Sequence, residues 1–292
     1  MKPADFDYEC PDTVEEALGL LAANVGKAKI IAGGQSLIPM MNFRVVRPEV
    51  LIDIGRLIDL DYLKQGSDGA LTAGSRTRHY TFQTSPLVKN LFPVIPAAMD
   101  HVAHVAIRNR GTIGGSLTHA DPAAEWPMLI LLLDASIELR STRGTRSVLA
   151  KDFLLGSLTS AVEEDELLTK VSFPALASRT GWAFDEFSRR PGDFALAACG
   201  VIIEATDGCI ANARIGLMGV GETALRAVAA EQALIGKPLD DGLAAQVAAI
   251  ACASISPPVD LHGSSEYRRH LANVLVDRCL KAAWARTLGE AQ

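Results

Sequence analysis

The stretch AGGQSLIPMMNFRVVRPEVLIDI (Ala32–Ile54) places a pair of glycines beside small polar residues, directly after the apolar run KII. A second stretch, GTIGGSLTHADPAAEWP (Gly111–Pro127), repeats this arrangement later in the chain. Glycine loses more conformational entropy on folding than other residues, so its use beside a strand needs a reason. Glycine also permits a positive φ and has no Cβ, which lets successive peptide N–H groups converge on one anion. One such loop is typical of a tight turn, whereas the two together predict a bound dinucleotide.

Hydroxyl side chains accompany both glycine pairs. Ser36, Ser116 and Thr118 can donate hydrogen bonds to phosphate or ribityl oxygens. The sequence contains neither the dinucleotide fingerprint G-x-G-x-x-G nor the phosphate loop G-x-x-x-x-G-K-[ST], and its N-terminal half is not a regular βαβ series. We therefore expect the nucleotide to lie between two loops of a different fold.

The composition excludes several classes of protein. A chain of 292 residues with 49% hydrophobic and 21% charged residues is typical of one large or two ordinary globular domains. The net charge of −6 provides no basic footprint for nucleic acid. The longest strongly apolar run, MLILLL (Met128–Leu133), is too short to span a bilayer. The N-terminal segment MKPADFDYECPD lacks the apolar core of a secretory signal, so we expect a cytoplasmic protein.

The cysteines are scattered rather than clustered, and no two of them lie within four residues: Cys10, Cys199, Cys209, Cys252 and Cys279. An iron–sulfur cluster or zinc site built from this chain alone is therefore not expected. An odd number of unclustered cysteines is typical of reduced, cytosolic thiols.

Alternating patterns in the N-terminal half predict a mixture of helices and strands. PDTVEEALGLLAANVG is a helix with capping-box spacing between Thr13 and Glu16. AAEWPMLILLLDA is predicted as a buried helix. The predicted strands of this half are AKIIA, VLIDI, ALTAG, SIELRS and ELLTKVSFP.

The pattern changes near Pro174, where three β-type runs follow one another: GWAFDEFSR, LAACGVIIEA and IANARIGLMGV. Asp207-Gly208 between the second and third is a hairpin signal. Three helices are predicted next, in TALRAVAAEQALIG, in DDGLAAQVAAIACASI and in residues 264–288. Strands followed by helices indicate a separate α+β domain, so we predict two domains, residues 1–176 and 177–292.

Both glycine stretches resemble the motifs of a known family. AGGQSLIP (Ala32–Pro39) and IRNRGTIGGSLTHADPAAEWP (Ile107–Pro127) resemble the two FAD motifs of the medium, flavin-binding subunits of molybdenum hydroxylases. Carbon monoxide dehydrogenase and the xanthine dehydrogenase family are members. FSRRPGDFALA (Phe187–Ala197) and EYRRHLANVLVDRCL (Glu266–Leu280) resemble the start and the closing helix of that family's C-terminal domain.

The resemblance implies an α+β architecture. A two-lobed FAD-binding domain of the PCMH or vanillyl-alcohol-oxidase type would precede a smaller domain with a three-stranded antiparallel sheet and helices. It also implies partners: a large molybdopterin subunit that oxidises the substrate and a small subunit with two [2Fe–2S] clusters, assembled as a dimer of heterotrimers. This chain would carry FAD and pass electrons to an external acceptor. No residue here is expected to be catalytic or to bind a metal.

The cofactor-binding residues that the resemblance implies lie in both motifs and beyond them: Ile30, Ile31, Ala32, Gly33, Gly34, Gln35, Ser36, Leu37, Thr112, Ile113, Gly114, Gly115, Ser116, Thr118, Ala120, Glu125, Leu168 and Phe184. Glu125 has a second interpretation as a carboxylate at a helix N-terminus, where the macrodipole favours it. Phe184 and Leu168 have a second interpretation as strand core.

Some residues depart from the family pattern or admit a plain structural role. Many relatives have a lysine after the aromatic residue at position 184, but this chain has Asp185 and Glu186, so a cationic contact to the flavin is lost. Arg268 and Arg269 are expected on the exposed face of the last helix.

Two other functions fit the sequence. The chain could be a stand-alone FAD-dependent oxidoreductase, although such enzymes usually have a larger substrate domain. It could also be a non-catalytic assembly subunit without flavin, against which both intact glycine pairs argue. For the hydroxylase interpretation, an N-heterocycle or purine is favoured as the substrate over an aldehyde or carbon monoxide. A quinone, a cytochrome or oxygen is favoured as the acceptor over NAD.

Overall fold

A computed structural model describes residues 1–289 of the chain. The first half contains eight α-helices, ten strands and two short 3-10 helices (Ile58–Leu60 and Ala150–Asp152). The α-helices and strands are β1 (Asp7–Glu9), α1 (Val14–Ala23), β2 (Ala28–Ile31), α2 (Leu37–Asn42), β3 (Val50–Asp53), β4 (Leu63–Gln65), β5 (Leu71–Gly74), α3 (His79–Thr84), α4 (Pro86–Leu91), α5 (Val94–Met99), α6 (Val105–Arg108), α7 (Ile113–His119), α8 (Glu125–Leu132), β6 (Ser136–Ser141), β7 (Gly144–Leu149), β8 (Leu154–Gly156), β9 (Thr159–Ser160) and β10 (Leu167–Phe173). The second half contains β11 (Thr180–Phe187), β12 (Ala197–Thr206), β13 (Cys209–Met218), β14 (Leu225–Arg226), α9 (Val228–Leu234), α10 (Asp241–Ala253) and α11 (Ser265–Thr287).

The first half forms two lobes, each built on its own sheet. The first lobe has a parallel three-stranded sheet in the order β1-β3-β2. The second lobe has an antiparallel five-stranded sheet in the order β4-β5-β10-β6-β7. The predicted two-lobed α+β architecture is confirmed.

The capping box and the hairpin turn predicted from the sequence are both present in the structure. The Thr13 side chain accepts a hydrogen bond from the Glu16 N–H while the Glu16 carboxylate accepts from the Thr13 N–H, so the capping box of α1 is present. Asp207 and Gly208 both have positive φ values, and Thr206 pairs with Cys209 across the turn. This is the geometry that a two-residue hairpin between right-twisted strands requires.

The C-terminal sheet has a fourth strand that the sequence pattern did not predict. β14 pairs with the end of β13 through Leu225 and Arg226, giving the order β11-β12-β13-β14. These two residues were predicted to be helical as part of TALRAVAAEQALIG, yet α9 begins only at Val228. Cross-strand pairing with β13 therefore overrides the helical pattern at this point.

The prediction for Arg268 and Arg269 was wrong, since neither lies on an exposed helix face. Arg268 is buried, and its guanidinium donates to the carbonyls of Leu196 and Gly219 and to the Asp260 carboxylate. Arg269 donates to the carbonyls of Cys252 and Ile255. Both arginines donate to backbone carbonyls near the ends of other elements, which a helical periodicity cannot reveal.

One hydrophobic cluster contains residues from both halves of the chain, beside a separate cluster in the C-terminal half and another centred on the first lobe. α8 packs against β12 and β13, where Gly200 and Gly216 are cross-strand partners. A Cβ at Gly216 would lie 2.7 Å from the Met128 sulfur, so this contact requires glycine. The prediction of a buried helix at α8 is confirmed, because nearly all its side chains lie in this core. Among residues 1–289, no helix combines the length and apolar character needed to cross a membrane.

Candidate functional site

The two glycine stretches meet in space. Gly33 follows β2, and its Cα packs against the backbone carbonyl of Arg110 so closely that a Cβ would overlap that oxygen. Gly34 has a φ of +70°, in the left-handed region that favours glycine. Gly33 is therefore glycine for close approach and Gly34 for backbone conformation. Together they let the chain turn sharply from β2 into α2 beside the second stretch.

A cleft of about 530 Å³ opens along this junction. Most of the predicted cofactor-binding residues line it: Ile30, Ile31, Ala32, Gly33, Gly34, Gln35, Ser36, Leu37, Thr112, Gly114, Gly115, Ser116, Thr118, Glu125 and Leu168. They come from β2, α2, α7, α8 and β10, so both lobes contribute walls.

Three predicted residues do not line the cleft. Ile113 is wholly buried in the core of the second lobe, and Ala120 ends α7 with a positive φ and faces inward. Phe184 packs against the shared core, with its ring centroid 5.2 Å from that of His101. For Phe184 the second interpretation, strand core, fits the structure.

The first loop presents free backbone donors to the cleft. The N–H groups of residues 33–36 donate to no acceptor within the described chain, while the Gln35 side chain turns back to the Gly33 carbonyl at 2.8 Å. Ser36 precedes α2 without capping it, so its hydroxyl is also available. Residues 33–35 are half-buried and Ser36 is exposed, so these N–H groups are available to donate to a ligand in the cleft.

The second loop is a helix, which changes its expected role. Residues 113–119 form α7, and Thr112 is its N-cap, accepting a 3.1 Å hydrogen bond from Gly115 N–H. The Gly114 N–H donates to Ser75 O, and the Ser116 N–H donates to Thr112 O. The N–H groups of residues 113–116 therefore have acceptors within the protein, and the second cradle at Thr112–Ser116 stays a prediction. Gly114 is glycine because a Cβ would lie 2.6 Å from the Ser75 Cβ.

Two carboxyl groups near the cleft have raised pKa values. Burial raises the pKa of Glu125 to about 7, with the Asp121 charge adding to the effect and its backbone N–H and Arg108 opposing it. Burial, together with the neighbouring Glu125 and Asp185 charges, raises the pKa of Glu186 to about 9. The Glu186 Oε2 atom is buried without a hydrogen-bond partner. Near pH 7, Glu186 is therefore neutral, whereas Glu125 is about half protonated.

The structure adds residues that the motifs did not indicate. Residues from three other segments line the same cleft: Ser75, His79, Leu158, Val162, Gly192 and Phe194. Gly192 and Phe194 belong to the segment Phe187–Ala197, which the sequence assigned to the second domain. No short pattern connects these positions to the glycine motifs, because only the folded chain brings them together.

The cleft fits a dinucleotide by its chemistry. One wall offers the free amides of the first loop, and the other offers the hydroxyls of Ser116 and Thr118. Lys29 is the one lysine or arginine lining the cleft within residues 1–289, so neutral donors dominate. Hydrogen bonds from neutral donors to a charged oxygen are stronger than ordinary ones, which suits a diphosphate held without cations.

Family models match most of the chain. A model described as the FAD binding domain in molybdopterin dehydrogenase matches residues 4–176. A model described as the CO dehydrogenase flavoprotein C-terminal domain matches residues 182–283.

The chain belongs to the FAD-binding medium subunits of the molybdenum hydroxylases.

Individual relatives agree with this assignment over nearly full length. The flavin subunit is 42% identical to the 6-hydroxypseudooxynicotine dehydrogenase complex subunit alpha of Paenarthrobacter nicotinovorans, covering 97% of this chain and 96% of the relative. It is 36% identical to the carbon monoxide dehydrogenase medium chain of Hydrogenophaga pseudoflava, covering 98% and 99%.

Solved structures share the whole fold. Carbon monoxide dehydrogenase from Hydrogenophaga pseudoflava matches with a TM-score of 0.95 at 38% identity, over 98% of this chain and 99% of that chain. Quinoline 2-oxidoreductase from Pseudomonas putida 86 matches with a TM-score of 0.93 at 39% identity, over 98% and 100%. The flavin subunit is thus part of a molybdenum-dependent oxidoreductase and carries FAD, as the sequence predicted.

Proposed function

We propose that this flavin subunit takes electrons from two [2Fe–2S] clusters of a small partner subunit and passes them to an external acceptor. A large molybdopterin subunit would hydroxylate the substrate. The observation that carries this proposal is the cleft between the two motifs, whose first loop offers unpaired amides at residues 33–36. FAD supplies a carrier that accepts electrons singly and releases them in pairs, which suits a position between iron–sulfur clusters and a two-electron acceptor.

The residues that would hold FAD have distinct tasks. Residues 33–36 donate N–H groups to the diphosphate, and Ser116 and Thr118 donate hydroxyls to phosphate or ribityl oxygens. Leu168 lies beside an irregularity in the pairing of β10 with β6, where its backbone can approach the ring. Glu125, with its raised pKa, can donate as a neutral carboxylic acid. None of these residues transfers a proton in the reaction that we propose.

The substrate class is an N-heterocycle. Relatives of 38% identity are named nicotine 6-hydroxylase medium subunit and caffeine dehydrogenase subunit beta. The quinoline 2-oxidoreductase structure has the same fold. These names support the preference for an N-heterocycle or purine over an aldehyde or carbon monoxide, although relatives named for glyceraldehyde and carbon monoxide exist at 36%.

The remaining parts of the proposal concern organisation. We propose that residues 1–176 and 177–292 form the two domains. We also propose that the complex is a dimer of heterotrimers and that it is located in the cytoplasm. The acceptor is a quinone, a cytochrome or oxygen, since the sequence has no recognisable NAD motif.

Flavin content tests the cofactor site. We expect the chain with Gly34→Val to be purified without FAD, since a branched Cβ at a φ of +70° would meet Ile31 and Ile38 and displace the loop amides. Gly208→Val is the matched control, because its φ of +75° imposes similar strain, only its chain neighbours lie within 4 Å of the added Cβ, and Gly208 does not line the cleft. Normal flavin content in the Gly34 variant would contradict the site. Co-purification of a molybdenum subunit and an iron–sulfur subunit tests the proposed complex.

A further inference from the structure

His79 is held at the cleft by the side chain of Trp126 in α8. The Nε1–H of Trp126 donates a 2.9 Å hydrogen bond to His79 Nδ1. Both residues are buried, and His79 also lines the cleft. Trp126 is fixed in turn by an edge-on contact with Phe82, at a centroid distance of 4.6 Å.

This hydrogen bond sets the tautomer of the imidazole. Indole N–H can only donate, so His79 Nδ1 must accept and the single proton of the neutral ring must lie on Nε2. Burial and the nearby Arg108 charge lower the pKa of His79 to about 4, so the ring is neutral at physiological pH. His79 is thereby converted into a fixed N–H donor.

The Nε2 atom has no acceptor within the described chain. Its edge of the ring faces the second glycine stretch, and a Cβ on Gly111 would lie 2.6 Å from Nε2. The backbone N–H of His79 donates to Gly111 O at 3.0 Å, which holds the ring beside this segment. The Nε2–H is therefore a donor at the cleft wall that is available to a ligand oxygen.

Ser75 provides a second unsatisfied group on the same wall. Its backbone is fully used, with its N–H donating to Thr169 O and its carbonyl accepting from Gly114 N–H. Its hydroxyl is buried without a partner, and only 2% of the residue is exposed. Ser75 lines the cleft and packs against Gly114, so both Ser75 and His79 flank the start of α7.

We propose that Ser75 Oγ and His79 Nε2 are a third cofactor-binding element, which donates hydrogen bonds to the diphosphate of FAD from the side opposite the first glycine loop. Trp126 is the positioning residue that fixes the donor. This element replaces the α7 amides, which the protein already uses, and it lies where the two glycine stretches meet. The inference rests on the proposed FAD site.

Ser75→Ala separates cofactor binding from folding. In the flavin-free full-length chain, the unpaired hydroxyl contributes nothing to stability, so we expect an unchanged or higher Tm. We expect the Kd for FAD to rise about tenfold or more, as for a lost hydrogen bond to a charged oxygen. Thr77→Val is the matched control: it removes a buried hydroxyl bonded to Tyr62 O, outside the cleft, and should lower Tm without changing Kd.

Two further variants test the histidine. The double variant H79F/W126F replaces both hydrogen-bonding partners with apolar rings, which avoids leaving an unpaired indole N–H. We expect it to fold and to bind FAD about tenfold or more weakly. With Trp126→Phe alone, the neutral His79 ring should populate both tautomers, which ¹⁵N NMR of His79 would detect as a mixture. We expect this variant to bind FAD more weakly as well.

The ligand series identifies which part of FAD is contacted. Ser75→Ala and H79F/W126F should weaken binding of FAD and ADP by the same factor and leave riboflavin binding unchanged. Wild-type affinity for FAD in both variants would overturn the inference, and so would a loss seen with riboflavin but not with ADP. Failure of the wild-type chain itself to bind FAD would instead contradict the proposed function.

Discussion

The Cα of Gly33 lies against the backbone carbonyl of Arg110, with no room for a Cβ between them. Gly33 ends the first lobe's β2 region, and Arg110 precedes the capped start of α7 in the second lobe. The contact therefore sets the distance between the two walls of the cleft. A bound dinucleotide would depend on this backbone-to-backbone contact as well as on the groups that touch it.

Gly33→Ala should separate the two walls. Its Cβ would overlap the Arg110 carbonyl, which belongs to the backbone and cannot rotate away. We expect FAD to be lost on gel filtration and the free energy of unfolding to fall by about 1–3 kcal/mol, as for an overpacked site. Flavin absorbance and urea denaturation measure the two effects.

Gly19→Ala is the contrasting substitution. Gly19 lies within α1, and a Cβ there would meet nothing within 4 Å. We expect a gain of about 0.5–1 kcal/mol, because alanine loses less entropy in a helix. If Gly33→Ala and Gly19→Ala changed flavin content and stability alike, the contact between Gly33 and Arg110 would not explain the effect of Gly33→Ala.

Glu186→Gln should change the pH dependence of stability. Between the ordinary carboxyl pKa of 4.5 and the folded value of about 9, the native chain keeps a proton that the unfolded chain has lost. Stability therefore falls as pH rises through this range, and the amide removes that loss. We expect the variant to have a Tm several degrees higher than wild type at pH 8, and a difference that shrinks towards pH 4.5.

An exposed carboxylate provides the control for Glu186. Glu222→Gln removes the same charge from the surface and should leave the pH profile of Tm unchanged. If Glu186→Gln left the pH profile of Tm the same as that of the wild type, Glu186 would be ionised in the native state.

At acidic pH, the stability of the folded chain depends on His79. Its pKa is lowered to about 4 in the folded chain, whereas the unfolded value is 6.5. The unfolded chain binds the extra proton first, so the contribution of His79 is present above pH 6.5 and is lost as pH falls towards 4. We expect H79F/W126F to lose stability less steeply than wild type between pH 6.5 and 4, measured by thermal unfolding without flavin. An equally steep loss would contradict a neutral His79.

Arg268→Ala should be strongly destabilising although no motif marks this residue. The substitution leaves the carbonyls of Leu196 and Gly219 without their donor. We expect a loss of about 2 kcal/mol or more in the free energy of unfolding. Arg278→Ala on the same helix is the control, because its side chain is 67% exposed and its pairing with Asp185 spans 3.9 Å. It should cost about 0.5 kcal/mol or less. Equal losses in the two variants would contradict the buried role of Arg268.

The sequence by itself determined the elements that local chemistry specifies. Thr13 and Glu16 predict a capped helix, Asp207-Gly208 a hairpin, and the two glycine stretches the walls of a cofactor cleft, because each signal lies within a few residues. The resemblance in those stretches also predicted the family, which the matches confirm.

Only the tertiary structure decided features that depend on distant partners. The N–H groups at the start of α7 donate to Thr77, Ser75 and Thr112, so the second glycine pair lies in the first turn of a helix. Arg268 is buried because carbonyls from two other segments need a donor. His79 becomes a fixed donor through Trp126, which lies far along the chain. Such roles arise from hydrogen bonds between segments far apart in sequence, and a local pattern carries no information about which segments will meet.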